Sequence, residues 1–447
     1  MSNPKIKKRL LNAFLVGILS GSAGIAIGCS DFILTPSSVP PEIMTTGEIY
    51  NPAVSARTMD FTINLAWFME TQKTGLTLVS TRPSGARANP ISWKTKYKLV
   101  GFRGAYSLSS DGQYFDGMNE KGLSAALLWL DRTWPENKPS GYPGPKEGNL
   151  NLSIKYVVNF VLSQCDTVTC AVSLLKNEEL GPIVFGEPIT FAGITITNLP
   201  LHLVLHDANN KSAVIEWYNG KEFIYDESNK QYNPDTIRVL TNDPSFIDQT
   251  SAAREFSALT RKNHFKASPG DVTKPDGKFL PGDSSSGSRF VRLFKLNRAM
   301  GGKAGECYAP EYPYSLINTC QKPPLWRVQL ANKIIARAEE VYGEYPEDNP
   351  LGILTSQDAY FHTNFTVIRD HSNQNLYVRG VYNSTLRKVS LKELFKKMDT
   401  TSKNLYQYVD PLPNGECPST ESAGINYKLM CFQNVNSFFS EALPDQQ

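Results

Sequence analysis

Short runs of apolar and β-branched residues, separated by polar turns, cover most of the chain. They predict strands over residues 31–34, 56–68, 76–81, 202–206, 213–218, 223–225, 360–369 and 376–382. Asn209-Asn210 and Asn219-Gly220, which separate the central strands, are typical of hairpin turns. Apolar residues at helical spacing predict helices over residues 152–162, 168–175 and 326–341. Helices on both sides of two blocks of mainly antiparallel strands predict a layered α+β domain.

Proline, glycine and serine are concentrated between these elements. They predict exposed loops at residues 35–41, 134–148 and 268–288. We expect residues 134–148 and 268–283, within the second and third of these loops, to form the rim of a binding pocket, because binding residues are concentrated on loops that a rigid scaffold holds. The layered domain is expected to occupy residues 29–400, and residues 401–447 are interpreted as a C-terminal extension.

The segment before Cys29 has the pattern of a secretory signal peptide. A basic patch precedes an apolar run from Leu10 to Ile27, which polar and glycine residues interrupt. Cleavage after Gly28, removing residues 1–28, would make Cys29 the N-terminal residue of a periplasmic or secreted protein. No second apolar stretch is long enough to span a bilayer, so we expect no membrane span after cleavage. In the alternative interpretation residues 26–29 form a lipoprotein processing site, and lipid then blocks Cys29.

An N-terminal cysteine carries a thiol and a free α-amine on adjacent carbons. The amine has a pKa of about 8, so it accepts the thiol proton near neutral pH and leaves a nucleophilic thiolate. Downstream, Arg57 offers a cation that lowers a thiol pKa, and Asp60 offers a carboxylate that orients an amine. Because these two residues lie three apart on a predicted strand, a bulge or twist is needed for both to reach Cys29.

Overall charge argues against one class of partner. The 447 residues include 46 basic and 43 acidic side chains, and the net charge of +3 gives no electrostatic case for a nucleic-acid partner.

Seven cysteines are an odd number, and Cys29 is the natural candidate for the thiol that stays free.

The other six cysteines fall into three local pairs. Cys307 with Cys320, and Cys417 with Cys431, lie in loop-like sequence and are predicted to form disulfides in an oxidising compartment. The third pair, at positions 165 and 170, lies in or beside a helix-like stretch, where a separation of five residues places the side chains on different faces. We therefore predict buried free thiols for that pair.

Several motifs follow Cys29 in a fixed order. They are Arg57-Thr58-Met59-Asp60, the sequence DGMNEKGL at 116–123, VLTNDP at 239–244, LPGD at 280–283 and SRF at 288–290. Together with Cys29, this ordered set resembles the choloylglycine hydrolase family, which contains conjugated bile salt hydrolases and penicillin V acylases. The resemblance extends to about Leu391 and implies an N-terminal-nucleophile hydrolase with a four-layer αββα sandwich.

The resemblance also implies a set of catalytic residues, which are Cys29, Arg57, Asp60, Trp129, Asn242 and Arg289. Cys29 is the nucleophile, supported by Arg57 and Asp60. The side chain of Asn242 and the backbone N–H of Trp129 form the oxyanion hole, whose donors stabilise the developing negative charge. Arg289 is the second arginine of the site, and its neighbour Arg292 is the alternative.

The prediction of substrate preference depends on Trp129. A tryptophan at this position resembles the Gram-negative penicillin V acylase branch, some of whose members also cleave N-acyl homoserine lactones. Trp129 and Phe61 are expected to form an aromatic wall for an apolar or aryl acyl group. The alternative for residues 127–130 is a buried strand without a pocket role.

The expected function is hydrolysis of a linear C–N amide bond in a small molecule, through a thioester and without metal or organic cofactor. A conjugated bile salt hydrolase is the alternative within the family, and a catalytically inactive, lipid-anchored envelope protein is the alternative of another class. The family resemblance further implies a homo-oligomer, a tetramer. His202 and His206 are expected to be structural rather than zinc ligands, because no third ligand is near in the sequence.

One departure from the family pattern concerns spacing. Cys29 and Arg57 lie 28 positions apart, about ten more than the family usually has between its nucleophile and first arginine. We expect the extra residues, at about 35–46, to lengthen a hairpin, because loop extension costs little free energy.

Overall fold

The computed structural model describes residues 29–36, 42–43, 47–61, 67–83, 89–104, 112–130, 141–176, 181–191, 194–196, 200–229, 232, 234–262, 280–301, 325–341, 362–381, 383–400, 404–409 and 441–442. In chain order its strands are β1 (Cys29–Ile33), β2 (Glu42–Ile43), β3 (Ile49–Tyr50), β4 (Val54–Phe61), β5 (Trp67–Gln72), β6 (Thr77–Val79), β7 (Asn89–Pro90), β8 (Ser92–Lys94), β9 (Leu99–Gly104), β10 (Asp116–Asn119), β11 (Ser124–Trp129), β12 (Leu150–Ser153), β13 (Ile183–Phe185), β14 (Ile189–Phe191), β15 (Ile194–Ile196), β16 (Leu201–His206), β17 (Ser212–Tyr218), β18 (Lys221–Asp226), β19 (Val239–Thr241), β20 (His362–Asp370), β21 (Asn375–Gly380), β22 (Arg387–Ser390), β23 (Tyr406–Tyr408) and β24 (Glu441–Ala442). The helices are α1 (Val157–Gln164), α2 (Val168–Lys176), α3 (Pro234–Ile237), α4 (Phe246–Lys262), α5 (Ser286–Gly301), α6 (Trp326–Ile335) and α7 (Leu391–Asp399), and a 3₁₀ turn spans Ile154–Tyr156.

Two antiparallel sheets form the centre of the molecule. The first, called sheet I, has seven strands in the order β19-β1-β4-β20-β21-β22-β24. The second, called sheet II, has eight strands in the order β18-β17-β16-β11-β10-β9-β5-β23. Within the described residues, no helix has both the length and the apolar character that a membrane span requires.

Three hydrophobic clusters show how the layers stack. Side chains of β1, β4 and β20 from sheet I and of β9, β11 and β16 from sheet II share one cluster, which lies between the sheets. Helices α5 and α6 pack against the outer face of sheet I, and α1 and α2 pack against the outer face of sheet II. The four layers are helix, sheet, sheet and helix, which confirms the predicted αββα sandwich.

Strand alternation decides which layer each side chain enters. In β1, Cys29 lies in the cluster between the sheets, and Phe32 lies in the cluster beneath α5 and α6. In β4, Met59 and Phe61 likewise face the inner cluster, whereas Ala56 faces the helices. Successive side chains of a strand point to opposite faces, so residues of both layers come from the same short segments.

Most predicted strands are confirmed, but one apolar run was wrongly joined. Residues 56–68 were predicted as one strand, whereas the structure has β4 ending at Phe61 in sheet I and β5 beginning at Trp67 in sheet II. The hairpin turns are confirmed, because Asn210, Asn219 and Gly220 have positive φ angles of 59°, 51° and 69°.

The start of one predicted helix and the end of one predicted loop differ in the structure. The segment predicted as a helix from residue 152 begins instead with β12 and a 3₁₀ turn, and α1 starts at Val157. The loop predicted to extend to residue 288 ends earlier, because α5 begins at Ser286. Polar residues at the start of α5 resemble loop sequence, and packing of Phe290 and Leu293 beneath sheet I stabilises the helix instead.

The prediction of free thiols at Cys165 and Cys170 was wrong, because these residues form a disulfide with Cα atoms 5.5 Å apart. They do not share one helix. α1 ends at Gln164 and α2 begins at Val168, and the turn between them brings the two cysteines together. The predicted cysteine pairs at 307 and 320 and at 417 and 431 lie outside the described residues, as do the leader at 1–28 and loop residues 134–140.

The segment interpreted as a C-terminal extension contributes to both sheets. β23 pairs with β5 at one edge of sheet II, where Gln407 lies opposite Met69. β24 pairs with β22 at the edge of sheet I. The remaining residues of this segment, apart from 404–409 and 441–442, lie outside the described part of the chain.

Candidate active site

Cys29 is the first residue of β1 and lies between β4 and β19 in sheet I. Its side chain is fully buried in the cluster between the sheets. The Sγ atom lies 3.5 Å from Nη2 of Arg57 and 3.8 Å from Sδ of Met59. The backbone N–H of Cys29 donates a hydrogen bond of 2.5 Å to Oδ1 of Asn242. Both reactive atoms of an N-terminal cysteine therefore have polar neighbours already in place.

Arg57 reaches the thiol because it lies two residues before Met59 on the same face of β4. Its Nη1 donates to the carbonyl oxygen of Phe115 at 2.8 Å, and its Nη2 donates to the carbonyl oxygen of Leu127. Nη1 also lies 3.5 Å from Oδ2 of Asp116. These contacts connect a side chain of sheet I to the backbone of sheet II and fix the guanidinium beside Cys29.

A chain of buried charges continues behind Arg57. Asp116 binds Nη2 of Arg369 with both carboxylate oxygens at 2.6 Å. Nη1 of Arg369 then lies 3.1 Å from Oδ2 of Asp31, whose Oδ1 lies 2.9 Å from Nε2 of His206. All five side chains are buried, so each charge depends on its neighbours for compensation.

Burial raises the pKa of the Cys29 thiol above its ordinary value. The positive charge of Arg57 and a hydrogen bond from the backbone N–H of Asp60 lower this pKa but do not cancel the rise. A thiol in this environment stays protonated at neutral pH until a base removes its proton.

The side chains of Asp60 and Cys29 point to opposite faces of sheet I. Its Oδ2 lies 3.0 Å from Nη1 of Arg289 and accepts a 2.9 Å hydrogen bond from Thr58, and its Oδ1 accepts a 2.5 Å bond from Thr363. Burial and the negative charge of Glu340 raise the pKa of Asp60 well above its ordinary value, against the effect of Arg289.

The bulge expected near Arg57 and Asp60 lies in the neighbouring strand. The register between β20 and β4 shifts between Thr363 and Phe365, which leaves Asn364 as the extra residue. The side chains of Arg57 and Asp60 lie on opposite faces of β4. The negative charge of Asp60 raises the pKa of the Cys29 thiol, and the backbone N–H of Asp60 lowers this pKa.

Of the two candidate arginines, Arg289 is the one connected to the site. Its Nη1 lies 3.0 Å from Asp60, 3.3 Å from the hydroxyl of Ser30 and 3.2 Å from Oε1 of Glu340. Arg292 instead donates to backbone carbonyls of residues 281, 283 and 337. Sequence reasoning missed Glu340, because it follows α6, far from the motifs, and no local pattern marks it.

Trp129 is the last residue of β11, and its indole ring and its backbone N–H lie in different surroundings. Its indole packs with α1 and α2 on the outer face of sheet II, in a different cluster from Cys29. The structure therefore does not bring the ring to Cys29, and the aromatic wall expected of this side chain is not formed there. The N–H of Leu127 donates to Phe115, and N–H groups two residues apart in a strand point to the same side. The Trp129 N–H thus points to the strand edge that Arg57 contacts.

Aromatic side chains do share the buried cluster with Cys29, but most were not predicted. Phe61 shares the inner cluster with Cys29, as expected. Trp67, Phe102 and Phe365 join it, with the Phe365 ring 5.6 Å from Trp67 and 5.4 Å from Phe102. The sequence signal was present, since each lies on a strand face that alternation assigns to the space between the sheets.

The two histidines of β16 have structural partners. Nδ1 of His202 lies 3.2 Å from Glu216, and His206 contacts Asp31 and Ser212. In the part of the chain that the structure describes, no group of three or more His, Cys, Asp or Glu side chains is arranged to hold a metal ion.

The sequence model of the linear amide C-N hydrolases, choloylglycine hydrolase family, matches residues 43–321, which is more than half of the chain. The chain belongs to this family. The match to the choloylglycine hydrolases contains Arg57, Asp60, Asn242 and Arg289 and begins after Cys29. The family match therefore does not include Cys29, and its assignment to the candidate site rests on its position at the start of β1, beside Arg57 and Asn242.

Individual relatives agree with this assignment. A penicillin V acylase of Pectobacterium atrosepticum is 30% identical over 302 residues, which cover 65% of this chain and 65% of that protein. A bile salt hydrolase/transferase of Clostridium perfringens is 29% identical over 224 residues, which cover 48% of this chain and 60% of the relative. The chain thus spans slightly less than two thirds of the length of these relatives. The structure of penicillin V acylase from Agrobacterium tumefaciens has the same fold, with a TM-score of 0.59, 20% identity and coverage of 86% of this chain and 96% of that one.

Proposed function

We propose that this member of the choloylglycine hydrolase family is an exported amidase that cleaves linear C–N amide bonds with Cys29 as its nucleophile. The observation that supports the proposal is the setting of Cys29, with Sγ 3.5 Å from the Arg57 guanidinium and the backbone nitrogen 2.5 Å from Oδ1 of Asn242. A cation beside the thiol and an acceptor beside the nitrogen suit an N-terminal nucleophile.

The proposal requires removal of residues 1–28. The nitrogen of a peptide bond is not basic, whereas a free α-amine has a pKa of about 8. Only the free amine can accept the proton of a thiol whose pKa burial has raised. Cleavage after Gly28 by a signal peptidase during export would supply that amine and place the enzyme in the periplasm or outside the cell.

The reaction then proceeds in two halves. The Cys29 thiol gives its proton to the α-amine, Sγ bonds to the amide carbonyl carbon, and the carbonyl oxygen becomes an oxyanion. The C–N bond breaks as the α-ammonium returns the proton to the leaving amine, which leaves a thioester on Cys29. Water, deprotonated by the same amine, attacks the thioester, releases the acid and restores the thiol.

Two donors suit the oxyanion. Because Oδ1 of Asn242 faces the Cys29 nitrogen, its Nδ2 is the atom of that amide able to donate to a substrate. The backbone N–H of Trp129 points to the same strand edge as that of Leu127, where Arg57 binds. Loss of one such donor typically costs about 10²–10³ in kcat.

We propose an apolar or aryl acyl group as the substrate's recognised part, of the penicillin V or N-acyl homoserine lactone type. Phe61, Trp67 and Phe365 share the buried cluster with Cys29 and favour such a group. The similarity to a penicillin V acylase supports the same choice, although the indole of Trp129 faces the other side of sheet II. A conjugated bile salt is the alternative substrate, which the similarity to a bile salt hydrolase/transferase supports.

Substitution of Cys29 by serine tests the proposal. The exported protein and its Cys29→Ser variant are purified, their N-termini are established by intact mass, and both are assayed against penicillin V, glycocholate and a long-chain acyl-homoserine lactone. We expect an unmodified terminus at Cys29, turnover of the first or third substrate, and no turnover by the folded variant. Full activity of Cys29→Ser, or a diacylglyceryl adduct on Cys29, would overturn the mechanism, and preferred turnover of glycocholate would overturn the substrate choice.

A further inference from the structure

One buried side chain holds the turn that carries Asn242. Gln249 lies in the first turn of α4 and is fully buried. Its Nε2 donates to the carbonyl oxygens of Thr241, Asn242 and Pro244 at 3.1, 2.8 and 2.6 Å. Its Oε1 accepts a 3.1 Å hydrogen bond from the backbone N–H of Thr241. A single amide thus satisfies backbone groups on both sides of Asn242.

A second contact fixes the same turn to the next helix. The hydroxyl of Thr241 lies 3.0 Å from Oε1 of Gln249 and 2.9 Å from the carbonyl oxygen of Ser286. Ser286 begins α5, the helix that carries Arg289. The turn that carries Asn242 is therefore held between α4 and α5, and most of the side-chain hydrogen bonds to this turn come from Gln249.

The side-chain amide of Asn242 has two roles in the proposed reaction, and both depend on where that amide lies relative to Cys29. Oδ1 faces the Cys29 nitrogen at 2.5 Å, and Nδ2 is the donor for the oxyanion. A misplacement of about 1 Å in such a group can cost about 10²-fold in rate. We propose that Gln249 is the positioning residue of the oxyanion hole, because it fixes the backbone of Asn242 and so aims its side-chain amide at Cys29. This inference rests on the proposed function of Cys29.

The test compares the same chemical change at two buried amides. Gln249→Glu replaces the donor that faces three carbonyls with a carboxylate oxygen. Asn151, also fully buried, is the matched control, because its Nδ2 donates to the carbonyl oxygens of residues 89, 146 and 149 and its Oδ1 accepts from the N–H of residue 146. Gln249→Met, which removes the hydrogen bonds without adding charge, is the second variant if Gln249→Glu fails to fold.

Steady-state kinetics with the substrate that the wild-type enzyme turns over give the first measurement, with folded protein quantified by circular dichroism. We expect Gln249→Glu or Gln249→Met to lower kcat by about 10²-fold with KM within threefold, because the loss concerns the transition state. Asn151→Asp should lose stability and keep kcat within twofold. A folded Gln249 variant with wild-type kcat, or an equal kcat loss in Asn151→Asp, would overturn the inference.

Crystal structures of the same two variants give a measurement that does not depend on turnover. We expect Asn242 Oδ1 to move out of hydrogen-bond distance from the Cys29 nitrogen in the Gln249 variant and to stay in place in Asn151→Asp. An unmoved Asn242 overturns the inference about Gln249. Retained activity of Cys29→Ser would overturn the proposed function separately, so the two failures are distinguishable.

Discussion

At the scale of single residues, the site depends on charges that are buried and shared. The guanidinium of Arg57 lies beside the Cys29 thiol, and it belongs to a chain of alternating charges through Asp116 and Arg369 to Asp31. Each member compensates the next in a region without solvent, where an unpaired charge is costly. The geometry around Cys29 therefore depends on the same buried charges that stabilise the core behind it.

Asp116→Asn should show this dependence as a large loss of stability. The change leaves Arg369 and Arg57 facing a neutral amide inside the core, and breaking a buried pair typically costs about 3–5 kcal/mol. Urea denaturation measures the free energy of unfolding. Asp399→Asn is the matched control, because Asp399 is 54% exposed and its pair with Lys98 should contribute no more than about 1 kcal/mol. Equal losses in the two variants would contradict the prediction.

His371 should make the protein sensitive to acid. Burial and the neighbouring His206 lower the pKa of His371 to about 3, and its ring nitrogens lie 2.8 Å from the carbonyl oxygen of Gly122 and the hydroxyl of Ser55. Unfolded His has a pKa of about 6.5, so between these values the unfolded chain binds the extra proton and stability falls as the pH falls. From pH 7 to pH 5 the contribution lost is about 2 kcal/mol.

The measurement is the free energy of unfolding in urea at pH 7 and at pH 5. His371→Gln removes the titrating group, so the variant should be less stable than wild type at pH 7 and should lose less on acidification. The same pH dependence in both proteins would show that His371 does not cause it.

At the scale of secondary-structure elements, the sequence predicts strand faces well and long-range pairing poorly. The period of two assigned Arg57 and Asp60, three residues apart, to opposite faces of a strand, and the structure agrees because burial on both faces enforces that alternation. Nothing local revealed that the run through residues 56–68 divides between two sheets, since each strand is chosen by its distant partners. The Cys165–Cys170 disulfide was missed for another reason: the five-residue separation was interpreted as if both cysteines lay in one helix, although the predicted helices ended at residue 162 and began again at residue 168.

The same contrast holds for the candidate site. The motifs identified Cys29, Arg57 and Asn242, whose contacts form within neighbouring strands of sheet I or directly across to sheet II. Glu340 and Gln249 lie outside the residues that the motifs singled out, and their importance depends on which side chains the fold brings to them. Sequence motifs thus identify the candidate reactive groups more readily than the residues that hold those groups in place.

The hairpin between β10 and β11 offers a test at this scale. Gly122 has φ +80°, and a Cβ there would lie 2.3 Å from the carbonyl oxygen of His371. Gly122→Ala should therefore combine backbone strain with a clash and destabilise the protein by about 2–4 kcal/mol in chemical denaturation. Gly141→Ala is the control, because Gly141 has φ +73° but no atom within 4 Å of the added Cβ, so only the strain of about 1–2 kcal/mol applies. Similar losses at both positions would argue against the clash.

At the scale of the whole molecule, both sheets contribute residues to the candidate site. Sheet I supplies Cys29 and Arg57, and sheet II supplies the Phe115–Leu127 backbone edge that fixes Arg57 and presents the Trp129 N–H. Relative movement of the sheets would change the site even if every strand stayed intact.

The tetramer that the family resemblance implies stays a prediction, which light scattering of the purified protein tests.

The chain beyond residue 403 helps to complete this sandwich at its edges. Leu405 and Val409, on either side of β23, are buried in the same cluster as Cys29. The carbonyl oxygen of Leu405 accepts a 2.9 Å hydrogen bond from the N–H of Thr71, and the N–H of Val409 donates a 2.9 Å bond to Trp67. Burial of two such side chains typically contributes about 3–6 kcal/mol. A segment interpreted from the sequence as an appendage is thus expected to stabilise the core.

Two truncations isolate that contribution. A chain ending at residue 409 keeps β23 and loses β24, whereas a chain ending at residue 403 loses both. We expect the shorter chain to be less stable than the longer one by about 3–6 kcal/mol in urea denaturation, because the difference removes Leu405 and Val409 from the core. Leu405→Ala in the full chain provides the measurement if the shorter chain does not fold, with an expected loss of about 2–5 kcal/mol. Equal stability of the two truncated chains, or a Leu405→Ala variant as stable as wild type, would show that β23 only covers the edge of sheet II and does not support the cluster around Cys29.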